Sequence, residues 1–257
     1  MLEKSISILG LGKMGSAIAK TLVNAGYEVN AYDVSPVKVS KKIILKESMD
    51  DLLQKKMPIL LAVKPDQIAS SVYQIVDNRL IISIAAGVSI HTLDGHRKVP
   101  GPTVRAMPNA AITVKAAITA LYANSMCSDD QKDFARDIFA TGGETLFIDR
   151  EDQMHAITAL SGSGPAFIEL FMQSLEDGGV LMGLSRGTAR TLVKHTVHGV
   201  VELVKKTGLS PQELMHDVTS PGGTTVAGLQ MLKDYNLERA VLKAIQKAAQ
   251  RSKELGE

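Results

Sequence analysis

Gly10-Leu11-Gly12-Lys13-Met14-Gly15 is the stretch of sequence that decides the fold. It follows the apolar run Lys4–Leu9, which is typical of a short buried strand, and precedes the amphipathic run Ser16–Ala25, which is typical of a helix. A G-x-G-x-x-G pattern alone is weak evidence, but the order of strand, glycine-rich turn and helix is the dinucleotide-binding fingerprint. We therefore expect a nicotinamide dinucleotide to place its pyrophosphate at the N-terminus of this helix.

An acidic residue follows the second predicted strand. Glu28–Tyr32 has strand character and leads into Asp33, eighteen positions after Gly15. A carboxylate at this point accepts hydrogen bonds from both hydroxyls of an adenine ribose and repels a 2′-phosphate. Asp33 therefore favours NADH, although both NADH and NADPH stay open as the cofactor.

Composition and charge limit the classes of protein that remain. The chain has 257 residues, of which 45% are hydrophobic, and a formal charge of +2, which is typical of a globular protein with one large or two modest domains. Basic residues cluster only in pairs such as Lys41-Lys42, and no apolar run approaches the ~18 residues of a membrane span, so we expect neither nucleic acid nor membrane as a partner. The first predicted strand leaves no room for a signal peptide, and the single cysteine, Cys127, suits a reducing compartment. We expect a cytoplasmic protein.

Predicted strands alternate with predicted helices through the first half of the chain. The predicted strands are residues 4–9, 28–33, 59–63, 80–85, 103–107, 117–122 and 144–148. This alternation predicts an α/β domain with a mostly parallel sheet and helices on its faces. The stretch between Asp33 and Ile59 is short for a full strand-helix-strand passage, and we expect it to hold only a stunted helix.

The second half of the chain predicts only helices. They are residues 151–160, 165–184, 186–207 and 237–255, with Ser185 and Ser210 as N-caps. The sequence therefore predicts a Rossmann dinucleotide-binding domain over residues 1–150 and an all-helical domain over residues 151–257. The segment that starts at Pro165 is apolar on more than one face, so we expect a second subunit to cover it, with burial inside the monomer as the alternative.

A second glycine-rich stretch, Thr219-Ser220-Pro221-Gly222-Gly223-Thr224-Thr225, precedes the helix-like run Val226–Lys233. Two adjacent glycines let backbone N–H groups form a concave cluster, and the helix dipole adds a positive end. Serine and threonine hydroxyls supply further donors. The stretch predicts a cradle for a carboxylate or phosphate, with an ordinary turn and helix cap as the alternative.

The sequence resembles the pyrroline-5-carboxylate reductase family over nearly the whole chain. The resemblance rests on the glycine-rich opening and on these blocks, in the family's order: Ala62-Val63-Lys64-Pro65, Ser83-Ile84-Ala85-Ala86-Gly87-Val88-Ser89, Arg105-Ala106-Met107-Pro108-Asn109, Ala159-Leu160-Ser161-Gly162-Ser163-Gly164-Pro165-Ala166, Asp177-Gly178-Gly179-Val180 and Thr219–Thr225. It implies a Rossmann domain followed by a helical domain through which subunits dimerise, sometimes assembling further. It also implies reduction of the cyclic imine 1-pyrroline-5-carboxylate to L-proline by NADH or NADPH, the last step of proline biosynthesis.

The resemblance implies roles for individual residues. The cofactor's pyrophosphate is expected at Gly10–Gly15, and its nicotinamide side is expected to be lined by Ala62, Val63, Lys64, Pro65, Ala85, Ala86 and Gly87. The substrate carboxylate is expected at Ser220, Gly222, Gly223, Thr224 and Thr225, with Thr225 also available to the ring nitrogen. Glu151 resembles an acid of the family's proline pocket, with a first-turn helix acid stabilised by the dipole as the alternative.

The chain departs from the family pattern at two places. Ala110-Ala111 follow Asn109 where the family commonly has Thr-Pro, so we expect a looser loop there. Asp33 stands where many members carry residues suited to a 2′-phosphate, and the region after it is short.

Two other functions remain open. A β-hydroxyacid dehydrogenase opens with a similar glycine-rich turn, but such enzymes rely on a lysine after a glycine-rich helix start, and Ser161–Glu169 contains none. A dinucleotide-sensing protein without catalysis is the second alternative, and the cradle at Gly222-Gly223 argues against it. His195 and His198 stand three apart on a predicted helix, but with no ligand pattern around them we expect no metal site.

Overall fold

The computed structural model describes residues 2–256; Met1 and Glu257, the outer ends of the two predicted domain ranges, lie outside the described residues. The strands are β1 (Ser5–Leu9), β2 (Glu28–Tyr32), β3 (Ile44–Leu45), β4 (Ile59–Leu61), β5 (Ile81–Ser83), β6 (Thr103–Met107), β7 (Ala117–Ala123) and β8 (Gly143–Phe147). The α-helices are α1 (Lys13–Asn24), α2 (Met49–Leu53), α3 (Ile68–Tyr73), α4 (Ile90–Gly95), α5 (Asp129–Ala140), α6 (Gln153–Ile157), α7 (Gly164–Leu181), α8 (Arg186–Thr207), α9 (Pro211–Asp217), α10 (Thr224–Asp234) and α11 (Leu237–Glu254).

The strands form one sheet in the order β3-β2-β1-β4-β5-β6-β7-β8. Neighbouring strands are parallel except β6 and β7, which run antiparallel with Arg105 opposite Tyr122. The first six strands therefore have the order of a doubly wound dinucleotide-binding sheet. The predicted mostly parallel α/β fold is confirmed.

Alternation along the strands builds a core on each face of this sheet. Ile8 and Leu60 belong to one buried cluster, whereas their neighbours Leu9, Ile59 and Leu61 belong to the other, because successive strand residues point to opposite faces. Helices α1 and α5 contribute to the first cluster, and α2, α3 and α4 contribute to the second. Burial of each Leu or Ile side chain stabilises the folded state by about 1.5–3 kcal/mol relative to an exposed one. This core therefore holds the strands in register and fixes the position of the edge at which the parallel strands end.

The short passage after Asp33 contains the two-residue strand β3 and the five-residue helix α2. The stunted helix is present, but the sequence did not predict β3, because two residues are too few for a periodic pattern. The passage after Asn109 forms a 3₁₀ turn over Ala110–Val114, and the Asn109 side chain accepts a hydrogen bond from the Ala111 N–H at 3.2 Å.

The chain divides into two compact units. The first runs up to Ser163 and includes the residues from Gln246 onward, and the second is Gly164–Ile245. In the second unit, Ala189 and Val193 are the buried apolar residues among those that the structure describes. The hydroxyls of Ser185 and Ser210 accept hydrogen bonds from Thr188 N–H and Glu213 N–H, so both predicted N-caps are present.

The two helices predicted at residues 151–160 and 165–184 have different bounds in the structure. Helix α6 ends at Ile157, a π-helical turn spans Thr158–Gly162, and α7 begins at Gly164 after Ser163. The Ser163 N–H donates a hydrogen bond to the Thr158 carbonyl at 2.8 Å. This spacing of five residues is that of a π-helix and accommodates one more residue in the turn than an α-helix does.

Within residues 2–256, no helix combines the length and the apolar character that crossing a membrane requires.

Candidate functional site

The glycine-rich turn joins β1 to α1. Gly10 has φ +96°, and a Cβ there would lie 2.6 Å from the Ala62 carbonyl oxygen. A Cβ on Gly15 would overlap the Gly10 carbonyl oxygen. By contrast, a Cβ on Gly12, the N-cap of α1, would meet nothing within 4 Å. Packing therefore requires Gly10 and Gly15, whereas the bare backbone of Gly12 leaves space in front of the first-turn N–H groups for an anion.

Asp33 ties the end of β2 to this turn. One carboxylate oxygen accepts a hydrogen bond from the Leu11 N–H at 2.6 Å, and the other accepts one from the Ser35 N–H at 2.8 Å. Each carboxylate oxygen keeps a further lone pair, because an ionised carboxylate offers about four acceptor sites. The carboxylate is therefore oriented by the backbone and still able to accept ribose hydroxyls.

A cleft of about 410 Å³ lies beside the turn. It brings together six residues of the predicted cofactor site: Gly10, Gly12, Asp33, Ala62, Val63 and Lys64. Side chains that the motifs did not mark also line it, among them Val34, Ser35, Ser70 and Gln74, which come from a loop and from α3 and its end. The cleft lies where the sheet order reverses between β1 and β4, which is the usual ligand crevice of such folds.

The remaining predicted cofactor residues are not among those that line this cleft. Leu11 and Gly15 are buried behind the turn, Lys13 is exposed, and Met14 packs against the core. Pro65 follows β4, and Ala85, Ala86 and Gly87 follow β5, on the side of β1 away from Asp33. The sheet order therefore places Asp33, the glycine-rich turn, Ala62–Pro65 and Ala85–Gly87 one after another along the edge at which the parallel strands end.

Glu151 has partners within the protein. Its Oε1 accepts hydrogen bonds from Arg105 Nη1 at 2.7 Å and from the Ile90 N–H at 2.6 Å. The Arg105 side chain is only 4% exposed, so this pairing compensates a desolvated guanidinium. Burial lowers the pKa of the nearby His155, and the charge of Arg105 lowers it further. Sequence reasoning singled out Glu151 but not Arg105, because nothing local marks an arginine in the middle of a buried strand.

The second glycine-rich stretch lies in the other compact unit. Gly222 has φ +70°, and Gly223 is the N-cap of α10. A Cβ on Gly223 would lie 2.6 Å from the Ser220 hydroxyl oxygen, and its N–H donates to the Ser220 carbonyl at 3.0 Å. The N–H groups of the first turn, beginning at Thr224, have no acceptor within the helix. Thr224 is exposed and Thr225 is half-buried, so the donors at this end of α10 are of the kind that binds a carboxylate or phosphate.

The side chains that most often bind metal ions are dispersed in the part of the chain that the structure describes. Between residues 2 and 256, no three His, Cys, Asp or Glu side chains are placed to hold one ion. His195 and His198 are exposed on α8.

The fold and the cleft define a dinucleotide-binding protein of the Rossmann class. Residues 5–87 match the family described as NADP oxidoreductase coenzyme F420-dependent, and residues 151–255 match the family described as pyrroline-5-carboxylate reductase dimerisation. The chain is 35% identical to the pyrroline-5-carboxylate reductase of Methanosarcina acetivorans, over all of this chain and 99% of that one. The chain belongs to the pyrroline-5-carboxylate reductase family.

Other relatives agree with this assignment. The Synechocystis pyrroline-5-carboxylate reductase is 42% identical over 77% of this chain and 74% of its own length. Among solved structures, the Plasmodium falciparum pyrroline carboxylate reductase with NADP bound has a TM-score of 0.91 and 33% identity, covering 98% of each chain. The reductase of Streptococcus pyogenes has a TM-score of 0.91 and 31% identity, covering 97% of this chain and 98% of that one.

Proposed function

We propose that this chain reduces 1-pyrroline-5-carboxylate to L-proline with NADH or NADPH, the last step of proline biosynthesis. The observation that carries the proposal is its relationship to a reductase of that name at 35% identity over the whole chain. The cleft at the reversal of the strand order and the anion site at α10 support the same reaction, since it needs a dinucleotide and a carboxylate.

The reaction requires orientation more than acid–base chemistry. The reduced nicotinamide, when bound, supplies a hydride. A protonated cyclic imine is already electrophilic, so the protein mainly has to position the imine carbon and exclude water. In this proposal Gly10–Gly15 hold the pyrophosphate, and Ala62–Pro65 with Ala85–Gly87 flank the nicotinamide.

The substrate carboxylate is assigned to the start of α10. The N–H groups of Thr224 and Thr225 and their hydroxyls are the donors, and the helix dipole adds a favourable field. The Gly223 N–H is already bonded to Ser220, so its contribution is the shape of the turn. Gly222 and Ser220 complete that turn, and we assign the Thr225 hydroxyl oxygen as the acceptor of a hydrogen bond from the N–H of the protonated imine.

Glu151 enters the proposed site indirectly. Because its carboxylate already binds Arg105 and the Ile90 N–H, we propose that it shapes the pocket by fixing these groups. A direct substrate ligand would instead contact the bound imino acid, so a structure with L-proline bound distinguishes the two roles of Glu151.

NADH is the preferred cofactor in this proposal. The backbone holds the Asp33 carboxylate at the ribose end of the cleft, where a 2′-phosphate would bring a second negative charge against it. The relative from Plasmodium falciparum was solved with NADP, so the choice of cofactor is to be measured for each member.

We also propose a homodimer, or a multiple of dimers, that works in the cytoplasm, with residues 151–257 as the substrate and dimerisation domain. The family model over residues 151–255 is a dimerisation model. Several large apolar side chains of α7 are exposed in the single chain, including Leu170 at 65% and Phe171 and Leu175 at 41% each. A second copy would remove this apolar surface from water.

Steady-state oxidation of NADH and NADPH tests the function, using 1-pyrroline-5-carboxylate and its six-membered homologue. We expect turnover with both cofactors and a larger kcat/KM for the five-membered imine. Binding of NADH without turnover of either imine would contradict the proposal and favour the dinucleotide-sensing alternative.

A further inference from the structure

The end of α11 lies against the loop that follows β5. We call residues Ser252–Gly256 the α11 end segment. Gly87 has φ +83°, and a Cβ there would lie 2.7 Å from the Ser252 carbonyl oxygen and 2.9 Å from the Gly256 nitrogen. In the other direction, a Cβ on Gly256 would overlap the Gly87 carbonyl oxygen. The two backbones therefore touch with no side chain between them.

A buried serine anchors this contact. Ser252 is 2% exposed, and its hydroxyl lies 3.1 Å from Nδ1 of His155 on α6. Just before α6, Glu151 accepts a hydrogen bond from the Ile90 N–H, directly after the same loop. The loop from Ala85 to Ile90 is therefore held at Gly87 by the α11 end segment and at Ile90 by Glu151.

The position of the loop gives this contact a functional meaning. Ala85–Gly87 follow the strand next to β4, on the side of the glycine-rich turn away from Asp33. A second cleft, of about 440 Å³, lies between Lys64–Asp66 and Glu254–Gly256 and is also lined by Val88. The three atoms nearest to a Cβ built on Gly87 all belong to the α11 end segment, so this segment is the closest packing partner of the loop at that position.

We propose that the α11 end segment positions the Ala85–Gly87 loop for the nicotinamide half of the cofactor, with Ser252 as a positioning residue. The inference rests on the proposed function, in which this loop flanks the nicotinamide. Ser252 acts through the loop and touches neither cofactor nor substrate. The effect of displacing the segment is therefore confined to the nicotinamide half and leaves the adenosine half intact.

The test compares Ser252→Leu with Gln250→Leu. The first adds bulk at a buried side chain that contacts His155, on a residue whose backbone carbonyl meets Gly87, and the second makes the same change at an exposed side chain of the same helix. Dissociation constants are measured for NADH and for ADP-ribose, which lacks the nicotinamide, and turnover is measured with the imine. For Ser252→Leu we expect NADH binding weaker by about tenfold and ADP-ribose binding within about twofold of wild type, with kcat reduced and the KM of the imine unchanged. Gln250→Leu should match wild type throughout.

Equal weakening of NADH and ADP-ribose binding would overturn the proposal, because a general structural defect does not distinguish the two ligands. Unchanged NADH binding and kcat would also overturn it. If Ser252→Leu does not fold, Ser252→Ala removes only the contact to His155 and must still weaken NADH more than ADP-ribose. The binding comparison needs no turnover, so it stays informative even if wild-type protein fails to reduce the imine, which is the separate failure of the proposed function.

Discussion

Helices α1 and α10 both begin at glycine-rich turns, but the chain surrounds them differently. Behind its turn, α1 buries Ile18, Ala19 and Leu22, and the turn is shaped by backbone contacts with Ala62. Every residue of α10, all of them described, is exposed or half-exposed, and its turn is shaped by Ser220 of the same loop. The turn of α1 therefore rests on a buried core of its own chain, whereas no buried residue of α10 lies behind the second turn, which in the proposed dimer leaves room for another subunit to cover it.

The largest expected effect tests how rigidly the first turn is built. Gly15→Ala places a methyl group against the Gly10 carbonyl oxygen, so we expect NADH binding to weaken at least ~100-fold and stability to fall by about 1–3 kcal/mol. Gly12→Ala is the matched control, because its methyl group meets no protein atom within 4 Å. It should keep the melting temperature and weaken only cofactor binding. Equal stability losses in both variants would remove the distinction between a packing glycine and a ligand-facing one.

The second prediction concerns the uncovered helices. Leu175→Asp places a charge on an exposed apolar position of α7, and in a two-fold interface the change counts twice. We expect the dimer dissociation constant to rise at least ~100-fold, measured by sedimentation equilibrium. Gln173→Asp, at an exposed polar position of the same helix, is the control and should leave the dimer intact. A wild-type protein that sediments as a stable, active monomer would show that α7 and α10 need no second subunit to cover them.

The third prediction tests the α10 end directly. Thr225→Ala removes one hydroxyl and leaves the helix amides, so kcat/KM for the imine should fall roughly 10- to 200-fold, matching ~1.5–3 kcal/mol for a hydrogen bond to a charged group. The dissociation constant of NADH serves as the internal control and should stay nearly unchanged. Full activity of Thr225→Ala, or a loss confined to NADH affinity, would move the substrate site elsewhere.

The sequence predicted the structure around the turn of α1 better than the structure around the turn of α10. A strand, a G-x-G-x-x-G turn and a helix are encoded within about twenty consecutive residues, so Gly10–Gly15 could be placed without tertiary information. The alternating strands predicted the parallel sheet for the same reason. The sequence did not predict β3 or the π-helical turn at Thr158–Gly162, because two paired residues and one extra helical residue leave no periodic signal.

The cofactor cleft was only partly predictable. Ser70 and Gln74 line it from α3 and its end. Outside the cleft, the hydrogen bonds of Glu151 with Arg105 and Ile90 join residues that are 46 and 61 positions apart in the sequence. Such contacts depend on strand order, which local patterns do not encode. The roles of the predicted site residues stay predictions until the variants are measured.

The fourth prediction tests Asp33 at the ribose end of the cleft beside α1. Asp33→Asn keeps an oxygen that can accept from the Leu11 N–H but removes the charge facing a 2′-phosphate, so the ratio of kcat/KM for NADPH over NADH should rise about tenfold, or ~1.4 kcal/mol. Asp66→Asn, at an exposed carboxylate that does not line the first cleft, should leave the ratio unchanged. A wild-type enzyme that already prefers NADPH tenfold would show that Asp33 does not select the cofactor.

The smallest expected effect is a pH dependence inside the first compact unit. Burial lowers the pKa of His155, and the charges of Arg105 and Lys253 lower it further, so the folded protein resists protonation of this ring. Below about pH 6.5, the usual histidine pKa, the unfolded chain takes up the proton first. The stability that neutral His155 contributes is therefore fully present above that pH, falls as the pH drops toward the folded-state pKa, and levels off below it. His155→Gln keeps a polar partner for Ser252 but does not titrate. Between about pH 7 and 5, the free energy of unfolding of this variant should therefore fall less steeply with decreasing pH than that of wild type. Chemical denaturation at a series of pH values measures the two slopes, which should differ by the equivalent of a fraction of a bound proton. Parallel slopes for the two proteins would mean that His155 titrates alike in both states and that its surroundings do not favour the neutral ring.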